Sequence, residues 1–274
     1  VGHGLNSAPE LILIKGLSSA GDWQVYSSPT GNGNKLAINS FAAQSSTTRW
    51  NSTSPTSSVF TLNDSGLGTN LVAYAFQSVA QYSSIGTYTG NSSDNGPIVE
   101  TGFEPAFVMY KGLNSSRAWI MVDNKRSPVN TRREYLIASS SNAEAAVDVM
   151  DFLSNGFQIR DTSVSTNGNG ETYIYMAFAA DQSAAPVLAD SFANKTYSGN
   201  SSTQSITGLG FSPNFSWIKV RNNTYVHGLY DTIRGSLQRL RSNGTEANEN
   251  VPNSLTSFDS DGFTLGSDIG QNQS

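Results

Sequence analysis

The feature that most constrains this chain is internal repetition, because a segment copied in tandem has to fold as a unit that packs against its own copies. Three segments align: Gly4 to Trp23 (GLNSAPELILIKGLSSAGDW), Gly102 to Trp119 (GFEPAFVMYKGLNSSRAW) and Gly210 to His227 (GFSPNFSWIKVRNNTYVH). Pro9, Pro105 and Pro213 mark one point, and six residues after each comes a lysine: Lys15, Lys111 and Lys219. Eight residues after each lysine comes a ring: Trp23, Trp119 and His227. Phe60, Phe157 and Phe263 keep the same register, and TYTGNSS at Thr87 to Ser93 returns as TYSGNSS at Thr196 to Ser202.

The copies differ in phase. LVAYAF (Leu71 to Phe76) and TYIYMAF (Thr172 to Phe178) correspond, but the third copy reaches Ser274 before an equivalent, and nothing like TYTGN precedes the first copy. The boundaries that follow are 1–81 for a module lacking its first strand, 82–189 for a complete one and 190–274 for one lacking its last. A window cut from a longer array, or ends completed by neighbouring modules or chains, is the expectation.

Each repeat opens on a short apolar run after its proline, Leu11 to Ile14, Phe107 to Tyr110 and Phe215 to Ile218, which reads as a central strand. Further short runs follow between clusters of Gly, Asn and Ser. That spacing predicts an all-β fold of three tandem β-sandwich, jelly-roll-like modules. The best linker is Gln182 to Ala189, and Ala143 to Leu153 is the sole weak helical candidate.

Composition narrows the chemistry. Hydrophobic residues make up 37% of the chain and charged residues 14%, with 25 glycines and no cysteine. Disulfides and thiolate metal sites are excluded, so burial and strand pairing must hold the fold. A net charge of −5 argues against a nucleic-acid surface, and no apolar run is long enough for a membrane helix.

Catalytic constellations are hard to assemble. A serine nucleophile needs a histidine, and only His3 and His227 exist; His227 sits in a slot that tryptophan fills elsewhere, so packing is the preferred role. Glycoside hydrolysis needs two carboxylates, and Asp123 and Asp231 match each other while Ser27 stands in the first copy and Glu134 is answered by Gln238. Asp259-Ser260-Asp261-Gly262 resembles the opening of a calcium loop but lacks the closing bidentate Glu. No catalytic residue, metal or cofactor is therefore expected.

Ligand contact falls to aromatic rings. Trp50, with Arg49 beside it in the polar stretch TTRWNSTS, reads as exposed and suited to a ligand or interface. Trp23 and Trp119 read either as sugar-stacking platforms or as core rings, with the core favoured. The three repeated lysines read as strand-end charges reaching solvent or as salt-bridge partners of Asp22, Asp123 and Asp231.

The proline–strand–lysine segment, GDWQVYSS at Gly21 to Ser28, TTRWNSTSPTSSVFTL at Thr47 to Leu62, TYTGN and TYSGN, and SLTSFDSDGFTLG at Ser254 to Gly266 together resemble a repeat family of virion structural proteins from marine tailed phages, especially those of cyanobacteria. The resemblance covers nearly the whole chain in three pieces. It implies a setting, a tail fibre or related appendage, and no site residue is carried over with it. The expected partners are other copies of the chain, as a homotrimer or polymer, other virion proteins, and host-surface glycan if the appendage is adhesive. A multivalent carbohydrate-binding array and a cellular extracellular filament or surface protein are the alternatives.

Overall fold

The computed structural model describes residues 1–63, 65–179 and 192–274. The linker expected at Gln182 to Ala189, and the boundary at 189, lie outside the described residues. The described residues are all-β apart from two one-turn helices.

The first repeat contributes β1 (Leu11–Gly16), β2 (Gln24–Ser27), β3 (Asn34–Lys35), β4 (Ser45–Ser46) and β5 (Leu71–Phe76). The second contributes β6 (Ser83–Thr89), β7 (Ile98–Glu100), β8 (Pro105–Gly112), β9 (Ile120–Asp123), β10 (Arg132–Ile137), β11 (Ala145–Leu153), β12 (Gly156–Ile159), α1 (Val164–Asn167) and β13 (Thr172–Ala179). The third contributes β14 (Gln204–Thr207), β15 (Phe215–Ile218), β16 (Gly228–Asp231), β17 (Gln238–Arg239), β18 (Glu249–Asn250), β19 (Leu255–Asp259), β20 (Gly262–Leu265) and α2 (Ile269–Asn272).

In the second repeat the strands form one antiparallel sheet in the order β6-β13-β8-β9-β10-β11-β12-β7. Its two edge strands, β6 and β7, follow each other in the chain, so the sheet curls until it nearly closes. The first repeat keeps β2-β1-β5 and β3-β4; the third keeps β14-β20-β19, β15-β16 and β17-β18. The stretch Ala143 to Leu153, weighed as a helix, is instead dominated by β11. With β11 paired to β10 on one side and β12 on the other, Val149, Met150 and Phe152 are buried by the curl of the sheet and not by a helical stripe.

The central strands read as unbroken apolar runs because both of their faces are covered. In β8, Val108 and Tyr110 fill the interior of the second repeat with Tyr88, Val122, Phe157 and Tyr173. The alternate residues Phe107 and Met109 enter a second core, which also holds Leu11, Leu13, Trp23, Leu36, Trp119, Leu136, Leu229 and Leu240. β1 divides likewise, with Ile12 and Ile14 inside the first repeat and Leu11 and Leu13 in the shared core. That shared core draws on all three repeats, and each repeat keeps a smaller one of its own.

Two glycines are required by close approach. Gly156 and Gly262 open β12 and β20 at matching points, where a Cβ would run into the carbonyl oxygens of Val99 and Ile206 respectively. The neighbouring strand passes too near for any side chain, which is why the pair recurs in Asn155-Gly156-Phe157 and Asp261-Gly262-Phe263.

Candidate functional site: the junction of the three repeats

The repeated ring is the centre of the junction. Trp23 and Trp119 are 0% and 1% exposed and His227 is 0% exposed. Each ring reaches into another repeat. Trp23 Nε1 donates to the Arg241 carbonyl at 2.9 Å, Trp119 Nε1 donates to the Ala37 carbonyl at 2.9 Å, and His227 Nε2 meets the Ile137 carbonyl at 3.0 Å. Ala37, Ile137 and Arg241 are equivalent, since each follows the leucine (Leu36, Leu136, Leu240) that faces Val25, Met121 or Leu229 across the second strand.

A backbone bond accompanies each ring. The amide of Gln44 donates to the Leu113 carbonyl at 2.9 Å, that of Glu144 to the Arg221 carbonyl at 2.6 Å and that of Asn248 to the Leu17 carbonyl at 3.1 Å. The first repeat thus engages the third, the third the second, and the second the first. This is a head-to-tail contact that closes after three turns, a pseudo-threefold ring within one chain.

The lysines cap carbonyls at the same junction. Lys15 and Lys111 are 1% and 0% exposed. Lys15 Nζ donates to the Gly21 carbonyl and, at 2.9 Å, to that of Thr245. Lys111 Nζ donates to the carbonyls of Phe41 at 3.0 Å and Arg117 at 2.5 Å. Among the described residues, Lys219 donates within its own loop, to the Val220 and Asn223 carbonyls. Burial lowers all three ammonium groups, bringing Lys111 and Lys219 to about 8. Neither expected role, a solvent-facing charge or a salt bridge, describes Lys15 and Lys111. Asp123 and Asp231 instead take Arg126 and Arg234 three residues on, at 2.5 and 2.6 Å, while Ser27 and Thr30 share a hydroxyl bond at 2.9 Å in the first repeat.

The ion pairs tie repeats together as well. Tyr74 of β5 donates to Asp231 at 2.6 Å. Burial works against ionisation of Asp231, but hydrogen bonds from Tyr74 and Arg234 outweigh it and hold the carboxyl below its ordinary value. Arg221 clasps both carboxylate oxygens of Glu144 across the junction, and Arg126 reaches the same carboxylate. Sequence reasoning missed Tyr74, Glu144 and Arg221; the signal was that Gln44, Glu144 and Asn248 occupy one repeat position and are all polar.

The remaining sequence candidates fall elsewhere. Trp50, expected to be exposed, is 1% exposed. It sits in the first repeat's core edge-on to Tyr26 at 5.5 Å, with Nε1 donating to the Asn34 carbonyl at 2.8 Å. Its polar neighbours misled because one ring anchors a whole polar loop. Arg49 braces that loop through the Asn63 and Ser65 carbonyls at 2.6 and 2.8 Å. Trp23 and Trp119 present no face to solvent, so of their two readings the core is the one their burial matches.

At the calcium-like turn, the Asp261 carboxylate accepts from the Gly208 and Gly210 amides and Asp259 accepts from Ser257 and Thr264. Among the described residues no group of three His, Asp or Glu side chains is placed to hold a metal ion. A polar depression of about 410 Å³ is lined by Asp94, Asn95, Thr131, Asp148, Asp151 and Arg160. Asp151 is paired with Arg160 at 2.6 Å and Asp148 with Arg133 at 3.2 Å. No helix is long and apolar enough to cross a membrane among the described residues.

Fold and junction define an all-β repeat protein whose copies bond to one another in a closed ring. The chain belongs to the family described as Domain of unknown function (DUF7483), whose model matches residues 1–182 and 188–274. No curated protein and no solved structure matches it.

Proposed function

We propose that the chain is a non-enzymatic structural element of a virion surface appendage, a set of three tandem β-sandwich-like modules closed into one three-lobed body. The observation that carries this reading is the reciprocal ring of buried contacts. The residue types that would serve catalysis or sugar stacking, His227, Lys15, Lys111, Trp23 and Trp119, are spent on joining the repeats. A body so closed favours a head or knob over a stalk, because the surfaces that would propagate a linear array are consumed inside the chain. Self-association into a homotrimer or polymer, and adhesion to host glycan, belong to this reading through surfaces outside the junction.

Antibody labelling of the source particles under the electron microscope tests it. Label at the appendages of phage virions supports the reading; label on cellular filaments or cell surfaces overturns it in favour of an extracellular surface protein. A glycan array run alongside separates adhesion from scaffolding.

A further inference from the structure

We propose that the ring has one gate, the seam at which the third repeat meets the second. Charged and titratable groups hold it at positions that the other two seams fill with indole, leucine and neutral side chains, and it opens on acidification or at high ionic strength while they stay shut.

The three seams are built at equivalent positions, so they compare residue by residue. The ring is Trp23 where the first repeat meets the third, Trp119 where the second meets the first, and His227 at the remaining seam. Two residues after the repeated lysines come Leu17, Leu113 and Arg221. Leu113 is buried in the shared core and Leu17 packs against it, whereas the Arg221 side chain is 43% exposed. The residue whose amide bonds across the seam is neutral in Gln44 and Asn248 and acidic in Glu144. Where the third repeat meets the second, an indole, an aliphatic side chain and a neutral amide are all exchanged for groups that carry or can take a charge.

The same seam makes fewer neutral bonds. The Thr245 carbonyl accepts from Lys15 Nζ at 2.9 Å and from the Gly21 amide at 2.7 Å. The Phe41 carbonyl accepts from Lys111 Nζ at 3.0 Å and from the Arg117 amide at 2.7 Å. The third member of this set is Ser141, five residues after Leu136 as Phe41 and Thr245 are after Leu36 and Leu240. Lys219 turns back into its own loop, and among the described residues Tyr225, six after Lys219 as Gly21 and Arg117 are after their lysines, sends no amide bond to Ser141. Holding the seam instead are the Arg221 fork on the Glu144 carboxylate at 2.7–3.1 Å, the Glu144 amide, His227 on Ile137, and Ser242 Oγ donating to the Ala138 carbonyl at 2.7 Å. An ion pair open to solvent on one side is screened by salt.

Acid acts through His227. Burial holds its imidazole at about 3 while the seam is shut, helped by the charges that face it, Lys219 from its own repeat and Arg126 from the second. Opening returns the ring to water and to its ordinary value, so the open seam takes up the proton more readily. The advantage of the shut seam is complete above about 6.5 and is lost as pH falls toward 3. Glu144, faced by Arg221, Arg126 and Lys219, loses its charge-assisted hold on Arg221 when it is protonated; Asp123 and Glu134 also act on Arg221.

Hydrogen exchange of the folded chain, read by mass spectrometry as protection factors, tests the gate. At pH 7 the Glu144 amide should be about tenfold less protected than those of Gln44 and Asn248, for want of the bonds to Ser141. Between pH 7 and pH 5 its protection should fall about twentyfold, the gain from protonating His227 in the open seam. In about 1 M salt it should fall about fivefold. Gln44 and Asn248 should follow neither change. His227→Gln should remove most of the pH dependence, and Arg221→Leu with Glu144→Gln, which copies Leu113 and Gln44, should remove the salt dependence. Because the chain has no cysteine, Ser242→Cys places a lone thiol at a fully buried site of this seam, and a labelling reagent should reach it in step with exchange at Glu144. Equal protection of the three amides at both pH values, an unchanged pH dependence in His227→Gln, or a thiol that stays shielded while the Glu144 amide exchanges, the mark of one fraying loop, overturns the proposal.

Discussion

His227 makes the stability of the ring depend on pH. Trp217 Nε1 donates to His227 Nδ1 at 2.9 Å, and an indole N–H has no acceptor role, so Nδ1 carries the lone pair and Nε2 the proton given to Ile137. Protonating Nδ1 would set two donors against each other in a fully buried site. Burial, with the nearby Lys219 charge, brings the imidazole down to about 3 from an ordinary 6.5. The unfolded chain therefore binds the proton more readily than the folded one. The stability this contributes is complete above the unfolded value and is lost as pH falls from about 6.5 toward 3. The full window is worth about 5 kcal/mol, at about 1.4 kcal/mol per pH unit, and about 2 kcal/mol of it falls between pH 7 and pH 5, above the range where most carboxylates titrate. Urea unfolding at pH 7, 6 and 5 should show that loss at constant m, and His227→Gln, neutral throughout, should abolish the slope whatever its own stability at pH 7. Equal slopes in the two proteins would refute the reasoning.

Three further outcomes follow from the junction and the loops. Trp119→Ala should cost about 4 kcal/mol in urea unfolding, since it empties a large core site and strands the Ala37 carbonyl, and Trp119→Phe should recover part of that. Arg234→Met should cost about 3–5 kcal/mol by leaving Asp231 buried without its partner, whereas Asp231→Ser with Arg234→Thr, which copies Ser27 and Thr30 of the first repeat, should return most of the stability. Trp50→Ala should lower Tm through the loss of about 3–5 kcal/mol of core packing, and in the wild type iodide should quench little of the Trp50 emission; a folded, equally stable variant would restore the exposed-loop reading.

The misreading of Trp50 and the correct placing of the central strands have one origin. A run such as Leu11 to Ile14 carries its burial in its own sequence, because every residue in it is apolar and both faces must be covered. Trp50 carries none, because its neighbours are polar and its burial depends on Tyr26, Phe60 and the Asn34 carbonyl, brought from elsewhere in the chain. The lysines failed for a related reason: a charge at a strand end is solvated unless another repeat's carbonyl arrives to replace the water, and Thr245 and Phe41 are far from Lys15 and Lys111 in sequence.

By itself the sequence determined the recurrence of the three segments, the all-β class and the strands at each segment's heart, since these rest on local pattern and spacing. Only the tertiary structure decided that the copies close into a ring, that Trp23, Trp119 and His227 are its fasteners, and that Gln44, Glu144 and Asn248 are its backbone links. Whether a head-to-tail contact closes or runs on is set by the rotation between successive copies. That angle is a sum over many weak contacts between repeats and is written in no single stretch of the chain.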